Sequence, residues 1–295
     1  MTNAMPAFDL NALLAAESID PSGVAILRHR PKEPELRKVF PWLIAERREL
    51  FDAFQCAHAP KVEQSLVRAN YLASFFGHAA GKALFVGLYR NAGHQAMKRG
   101  QILDIPQNRE LVSFGMNASV KREQMLWFDL KPMGIMSDWS GKLVCEWPGG
   151  ERSWMRWADR NVLPVHSIAE ERLLVAPMPR WQEIVLDWKE LHALPSSWRA
   201  ALKQWRGIYY IRDKACGKGY VGSAYGQDNL LGRWLGYAAS GHGGNKLLRG
   251  LDANNFEFSI LQLLAHDAET EEVVAAENTW KLRLHTREPD GLNQN

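Results

Sequence analysis

The chain has 295 residues, of which 46% are hydrophobic, and a formal net charge of +3. This is enough apolar material for one large domain or two ordinary ones. No basic N-terminal segment precedes an apolar run, and no stretch of 18 or more uncharged apolar residues occurs, which argues against a signal peptide and a membrane span. We therefore expect a globular, cytoplasmic protein that does not associate with a membrane.

Charge and cysteine content exclude few function classes. The three cysteines, Cys56, Cys145 and Cys216, are widely spaced and form no C-x-x-C pair, which argues against a disulfide framework and a structural zinc site. A net charge of +3 is too small to indicate a nucleic-acid-binding protein by itself. The last 90 residues carry 10 Lys and Arg against 11 Asp and Glu, so the positive excess lies in the first 205 residues. If the protein binds a polyanion, we expect the N-terminal part to supply more of the attraction.

The first eighty residues show helical patterns. "DLNALLAAESID" predicts one short helix, and apolar residues between Pro34 and His78 recur at helical spacing. Two segments are predicted there, one around Leu36 to Leu43 and another from Val62 to Phe76, with Pro60 as a boundary.

The pattern then changes to short runs rich in β-branched and aromatic residues. These runs begin at Lys82, Glu110, Met125, Lys142 and Arg152 and are separated by Gly, Pro, Asn and Asp. They predict a small antiparallel sheet or barrel preceded by helices, and therefore an α+β domain reaching to about residue 190. "SSWRAALKQW" then predicts a helix. We place the domain boundary between about 190 and 205 and divide the chain into 1–195 and 196–295.

Nine of the twelve tryptophans fall between residues 127 and 205. Tryptophan buries a large area and carries an N–H that needs a partner, so it is favoured in cores and in recognition pockets alike. A core role is the first interpretation. The second is that some of these rings, with Phe85 or Tyr89, line a cleft that stacks on an extruded or unpaired nucleotide.

A β-hairpin is predicted in "RGIYYIRDKACGKGYVG", with Tyr209 on its first strand and Tyr220 on its second. Strand alternation places Tyr209 and Tyr210 on opposite faces, so we expect these two neighbours to have different roles. "DNLLGRWLGYAAS" predicts an amphipathic helix on which Arg233 and Tyr237 form an i, i+4 pair at the edge of the packed face.

A third strand begins at Phe256, and a helix follows in which Val273, Trp280 and Leu284 form an apolar stripe. Glu277 lies on this stripe. A carboxylate on a packed helix face is costly unless it is paired, hydrogen-bonded or bound to a cation. Two interpretations stay open: Glu277 is a metal ligand, or it is paired to a neighbouring Arg or Lys.

Together these residues resemble the GIY-YIG nuclease family, over about the last 90 residues. The matching features occur in the family's order: Gly207, Ile208 and Tyr209; Tyr220, Val221 and Gly222; Arg233; Glu277; and Gly291, Leu292 and Asn293. The resemblance implies a small α/β domain with a three-stranded sheet flanked by helices.

The resemblance also implies cleavage of DNA phosphodiester bonds with one Mg²⁺ or Mn²⁺ ion, for which Glu277 would be the only protein ligand. Such hard cations accept oxygen ligands and retain several waters. Arg233 would stabilise the negative charge that develops on the phosphate. Tyr209 would take a proton from the attacking water, and Tyr220 and Asn293 would position water and phosphate and hold the geometry of the site.

Two positions are less closely matched. Residue 237 is Tyr where the family can carry His, which leaves open whether Tyr237 assists the base or only packs. His242, in "SGHGGN", lies in a loop where some members place a functional histidine, and it is a further candidate. The resemblance does not extend to the N-terminal 200 residues. It implies an extra domain that chooses the target, so we expect residues 1–195 to form a target-recognition domain that selects a DNA sequence, a DNA structure or a modified base.

The leading hypothesis is thus a metal-dependent DNA endonuclease, in restriction or phage defence, in repair incision or in a mobile element. Cleavage of both strands by a single-metal site would favour a homodimer on DNA. A nucleic-acid-binding protein with a degenerate nuclease domain is the main alternative, and an RNA-directed nuclease is a third.

Overall fold

Two compact units make up the chain, Met1–Ala176 and Pro177–Asn295. The computed structural model describes residues 8–77, 79–119, 122–148, 154–175 and 177–294. Both units contain helices and strands, so the predicted α+β class is confirmed. Among the described residues, no helix is long and apolar enough to cross a membrane.

The first unit combines six helices with seven strands in its described residues. The helices are α1 (Leu10–Ala16), α2 (Pro34–Glu46), α3 (Arg48–Phe54), α4 (Pro60–Leu66), α5 (Arg99–Asp104) and α6 (Pro106–Ser113). The strands are β1 (Val24–His29), β2 (Tyr71–Phe76), β3 (Lys82–Lys98), β4 (Gln124–Pro132), β5 (Leu143–Glu146), β6 (Met155–Trp157) and β7 (Val165–Ile168).

These seven strands form one mixed sheet in the order β6-β1-β2-β3-β5-β7, with β4 also paired to β3. Strands β1 and β2 are parallel, in register from Val24 opposite Tyr71 to His29 opposite Phe76, and the other pairings are antiparallel. The prediction of an antiparallel sheet or barrel was therefore wrong, because helices α2 to α4 form a crossover that allows two successive strands to run the same way. All six residues of β1 are buried.

Two local predictions in this unit were wrong. The run from Leu72 to Phe76, predicted as helical, belongs to β2, because a continuous apolar run has no period that separates a buried strand from a buried helix. The run from Glu110, predicted as a strand, lies in α6, which begins at Pro106, a residue favoured in the first turn of a helix. In the run from Arg152, residues 152 and 153 lie outside the described residues, and Met155–Trp157 form the predicted strand.

The second unit contains α7 (Trp188–His192), α8 (Ser196–Gln204), α9 (Asn229–Ser240) and α10 (Thr270–Arg283). Its strands are β8 (Val185–Asp187), β9 (Arg206–Asp213), β10 (Gly219–Ala224) and β11 (Phe256–Leu264). They form an antiparallel sheet in the order β10-β9-β11-β8. The predicted hairpin, third strand and flanking helices are all present.

The sheet has four strands where three were expected. Strand β8 pairs with β11, with Leu186 opposite Phe258, and this pairing belongs to the second unit. The division at residues 176 and 177 therefore lies before the predicted boundary at 195 and 196. A strand of three residues is too short to show an alternating pattern, so no local signal predicted it.

Helices cover both faces of this sheet. Two apolar clusters lie on its two faces. In the larger one, Tyr209 packs with Trp234 of α9. On the other face Tyr210 packs with Val221 of β10 and Val273 of α10. The predicted opposite orientation of Tyr209 and Tyr210 is confirmed.

Candidate active site

The motif glycines are explained by close approaches within the sheet. A Cβ atom on Gly222 would overlap the ring and hydroxyl of Tyr209, which lies across it from the neighbouring strand. A Cβ atom on Gly207 would overlap the carbonyl oxygen of Gln262, at the irregularity in the pairing of β11 with β9. Only glycine leaves room at these two positions, so the motif fixes where the Tyr209 ring lies.

Three tyrosine rings meet where β9, β10 and α9 come together. The ring centroids of Tyr209, Tyr220 and Tyr237 are separated by 6.1 to 6.4 Å. The hydroxyls of Tyr209 and Tyr237 are 3.1 Å apart, and Nη2 of Arg233 donates to the Tyr209 hydroxyl at 3.3 Å. Arg233 is exposed as predicted, but Tyr237 is buried, so its expected position at the edge of the packed face was wrong. Helix α9 is mainly apolar over its three turns, so its packed face includes Tyr237, which lies in the core.

Burial governs the protonation of this cluster. It raises the pKa of Tyr209, and the neighbouring Tyr220 raises it further while the Arg233 charge lowers it. Burial also raises the pKa of Tyr237, with Tyr209 and Tyr220 acting in the same direction. The adjacent Tyr209 raises the pKa of Arg233. At neutral pH the two buried phenols are therefore protonated, and the guanidinium beside them is charged.

Glu277 lies on α10, which covers the face of the sheet opposite to the tyrosine cluster. Both of its carboxylate oxygens are engaged. Nζ of Lys281 is 2.8 Å from Oε1, and the Ser223 hydroxyl donates to Oε2. The pairing interpretation left open by the sequence is thus what the structure shows. Of the predicted stripe, Val273 is buried, but Leu284 is exposed and follows the end of the helix, so its assignment was wrong. Lys281 and Ser223 were missed, although the i, i+4 spacing from Glu277 to Lys281 was visible in the sequence.

Asn293 joins a distant segment of the chain to the hairpin. Its amide Nδ2 donates to the Val221 carbonyl at 2.8 Å, and its Oδ1 accepts from the Val221 N–H at 2.9 Å. Asn293 is only 2% exposed. The predicted role in holding the geometry of the site is consistent with these bonds, because they fix the segment against β10.

A cavity of about 450 Å³ opens beside β10 and brings the candidate residues together. Tyr220, Arg233, Glu277 and Asn293 line it, with Lys246 and Lys281 as two further cations. Tyr209 is fully buried behind this lining, in contact with Arg233. Among the described residues, the lining therefore carries three cationic side chains against one carboxylate, which favours an anionic ligand.

His242 does not line this cavity in the described structure. Its Nδ1 accepts from the Gly244 N–H at 2.9 Å, within the loop that follows α9. The loop itself reaches the cavity through Gly243, Gly244 and Asn245. His242 thus shapes a lining segment.

The fit of a metal ion depends on Glu277. In the part of the chain that the structure describes, no three His, Cys, Asp or Glu side chains group together as metal ligands. The resemblance implies a different kind of site, with one carboxylate and the remaining positions filled by water and phosphate. The oxygens of Glu277 and Ser223 are the donor type that Mg²⁺ and Mn²⁺ prefer. The Lys281 ammonium, which neutralises the carboxylate, would compete with such an ion.

The chain was compared with protein-family models, curated proteins and solved structures, and none of the three comparisons found a match.

Proposed function

We propose that this protein is a metal-dependent endonuclease that hydrolyses DNA phosphodiester bonds in the cavity beside β10. The observation that carries the proposal is the meeting of Tyr220, Arg233, Glu277 and Asn293 in one cavity, although they lie on four separate segments of the chain. The surplus of positive charge in the lining suits a phosphate diester.

Arg233 is the residue best placed to meet the phosphate. One of its terminal nitrogens bonds to the Tyr209 hydroxyl, which restricts the side chain. Its planar, permanently charged guanidinium matches the non-bridging oxygens, where negative charge grows during hydrolysis. Tyr209 would then hold Arg233 in the position required for catalysis.

Two tyrosines are candidates for accepting the proton of the attacking water. Tyr209 was the first candidate, and Arg233 lowers the pKa of its phenol against the larger effect of burial. Tyr220 lines the cavity directly and packs against the Tyr209 ring. The variants Tyr209→Phe and Tyr220→Phe distinguish the two candidates. Removing the residue that accepts the proton should lower kcat and abolish the increase of the cleavage rate with pH. Removing a hydroxyl that only positions other groups should leave the increase of the rate with pH in place.

Glu277 and the Ser223 hydroxyl are the groups that would hold a divalent cation. When bound, the cation would polarise the scissile phosphate and stabilise the leaving oxygen. For a cation to bind, Lys281 would have to give up its contact with Glu277, and its ammonium would then be available to the phosphate. Asn293 keeps β10, and with it Ser223, in place.

The test uses the full chain with plasmid DNA and Mg²⁺ or Mn²⁺. Glu277→Gln removes the charge of the proposed ligand, and Glu272→Gln, an exposed glutamate on the same helix, is the matched control. We expect wild-type protein and Glu272→Gln to cut and Glu277→Gln to be inactive. Equal cutting by both variants, or no cutting by the wild type on a panel of modified and unmodified DNA, would overturn the proposal.

A nucleic-acid-binding protein with a degenerate nuclease domain is the second candidate. It is favoured by the engagement of both Glu277 oxygens by Lys281 and Ser223. It predicts salt-dependent DNA binding without metal-dependent hydrolysis. An assay that offers both DNA and RNA tests the alternative of an RNA-directed nuclease. A role in restriction or repair incision, a cytoplasmic location and a homodimer on DNA stay predictions.

A further inference from the structure

The first unit contains a larger cavity of about 850 Å³. It lies between the end of β1, the junction of α3 and α4, helix α5, the residues preceding β4 and Trp154 before β6. Its volume falls in the range of about 300 to 1,000 Å³ that is typical of pockets for small ligands. The lining combines aromatic rings, buried imidazoles and a cationic rim.

Aromatic rings form one part of the lining. Trp154 is 39% exposed at the cavity, and its ring centroid is 6.3 Å from that of His58. Phe54 of α3 lies 5.9 Å from the ring of His29. Such exposed or half-buried faces are suited to stacking on a planar heterocycle.

The histidines supply polar groups inside the cavity. His29 and His58 are 4% and 7% exposed and lie nearly parallel, with ring centroids 6.4 Å apart. Within the described residues, the buried Nε2 atoms of both rings have no hydrogen-bond partner. Burial lowers the pKa of His29 to about 3 and that of His58 to about 4, so both rings are neutral at pH 7. Buried polar atoms without partners are costly, and a ligand edge with donors and acceptors would remove that cost.

The rim is strongly cationic. Among the described residues, six Arg and Lys side chains line the cavity, against one carboxylate, that of Glu33. Arg37 donates to the backbone carbonyls of Pro31 and Lys32 rather than to a carboxylate, so its charge is not neutralised by those contacts. Nη2 of Arg122 pairs with Glu63 at 2.8 Å, while its buried Nη1 has no hydrogen-bond partner within the described residues. Charge of this sign beside aromatic rings selects a ligand that is both planar and anionic.

We infer that this cavity receives one nucleotide extruded from a DNA strand, with its base against Trp154 and Phe54, its polar edge toward His29 and His58, and its phosphate at the Arg and Lys rim. The cavity, at about 850 Å³, is larger than one unmodified base requires, so a base that carries a substituent would also fit. The choice of DNA as the source rests on the proposed nuclease function. A pocket that reads a single base outside the helix would be the basis of target selection.

Of the rings that the sequence suggested for such a cleft, Phe85 and Tyr89 do not line this cavity. Phe85 and Tyr89 are fully buried, and Phe85 packs against Phe75 in the core. Of the clustered tryptophans, Trp154 lines the cavity, whereas Trp147 is only 2% exposed.

The experiment measures binding without cleavage. The Glu277→Gln chain, without metal, is titrated with duplexes that contain 2-aminopurine at a matched position, at a mismatch or beside a modified cytosine. We expect the emission of 2-aminopurine to change on binding, because the base leaves its stack. Trp154→Ala in the same background should weaken binding by about tenfold or more, and Trp154→Phe should restore part of it. Trp157→Ala is the matched control, because Trp157 is half-buried on β6 and does not line the cavity.

The rim is tested separately. Lys32→Gln should weaken binding to all duplexes and reduce the slope of log K against log salt by about 1. An unchanged slope would mean that the rim does not contact the phosphate, and it would overturn the proposed placement of the nucleotide.

The outcomes separate the pocket from the catalytic site. If the wild-type chain does not cut DNA but the change of 2-aminopurine emission still depends on Trp154, the proposed nuclease function fails and the pocket stands. Equal losses for Trp154→Ala and Trp157→Ala, or no emission change in any duplex, would overturn the pocket even if cleavage occurs. A separate arm uses free deoxynucleoside monophosphates, and Trp154-dependent binding of these alone would overturn the DNA strand as the source.

Discussion

Acid should destabilise the first unit through His29 and His58. In the folded chain, burial lowers the pKa of His29 to about 3, with His58 acting in the same direction and Gln55 opposing. Burial lowers the pKa of His58 to about 4, against the backbone of Gln55 and the charge of Glu63. In the unfolded chain both return to their ordinary value of 6.5. Below that pH the unfolded chain binds more protons, so the free energy of unfolding falls as pH falls toward the folded values.

The magnitude follows from these values. Between pH 7.5 and 4.5 the two histidines together should remove about 5 kcal/mol from the free energy of unfolding, roughly half from each. This is comparable to the whole stability of a typical domain, about 5 to 15 kcal/mol.

The assay follows urea unfolding of this unit from pH 7.5 to 4.5 in the full chain. Cys56 and Cys145 are buried in the first unit and report its opening to a thiol reagent active in acid, such as 4,4′-dithiodipyridine. The background carries Cys216→Ser, because Cys216 is exposed in the second unit. The comparison protein carries His29→Gln and His58→Gln, which removes the two titrating groups and leaves the carboxylates common to both proteins.

We expect the wild-type unit to lose about 5 kcal/mol more than the double variant across this range. If the double variant cannot fold, the single His58→Gln variant carries half of the test. Parallel loss of stability in wild type and variant would refute the reasoning, because it would mean that the buried rings do not stay neutral in the folded chain.

Three further results are expected in the second unit. Gly222→Ala should lower the free energy of unfolding by about 1–3 kcal/mol in urea titrations, whereas Gly236→Ala, in open space on α9, should leave it unchanged or raise it. Asn293→Ala should cost about 2 kcal/mol and increase amide exchange of β10, and unchanged exchange would contradict the bonding described. Lys281→Met should tighten Mn²⁺ binding about tenfold in calorimetry by removing the competing charge beside Glu277, and equal or weaker binding would count against the metal assignment.

The second unit was largely predictable because its elements show local periods. Alternation in the strands of Tyr209 and Phe256, and helical spacing around Trp234, gave the correct elements. The partners of Glu277 were a different problem. Lys281 lies one helix turn away, but Ser223 reaches the carboxylate only through the packing of α10 on β10, which no local pattern describes.

The first unit was harder to predict for the same physical reason. The run Leu72–Phe76 is apolar throughout and shows no helical or strand period, so its conformation depends on the sheet that surrounds it. The cavity gave no sequence signal either, because His29, His58 and Trp154 come from segments that are distant in the chain and carry no shared motif. Only the concentration of tryptophans indicated that aromatic recognition was worth considering.

The bonds that hold residues 292 and 293 against β10 have a consequence for self-association. Strand β10 is at the edge of its sheet, where unpaired backbone groups can template addition of a strand from another molecule. The Leu292 N–H and the Asn293 amide occupy the Gly219 and Val221 backbone groups that would otherwise be open. Chains in which this segment is detached should therefore aggregate through β10, so we expect the solubility of the protein to depend on Asn293.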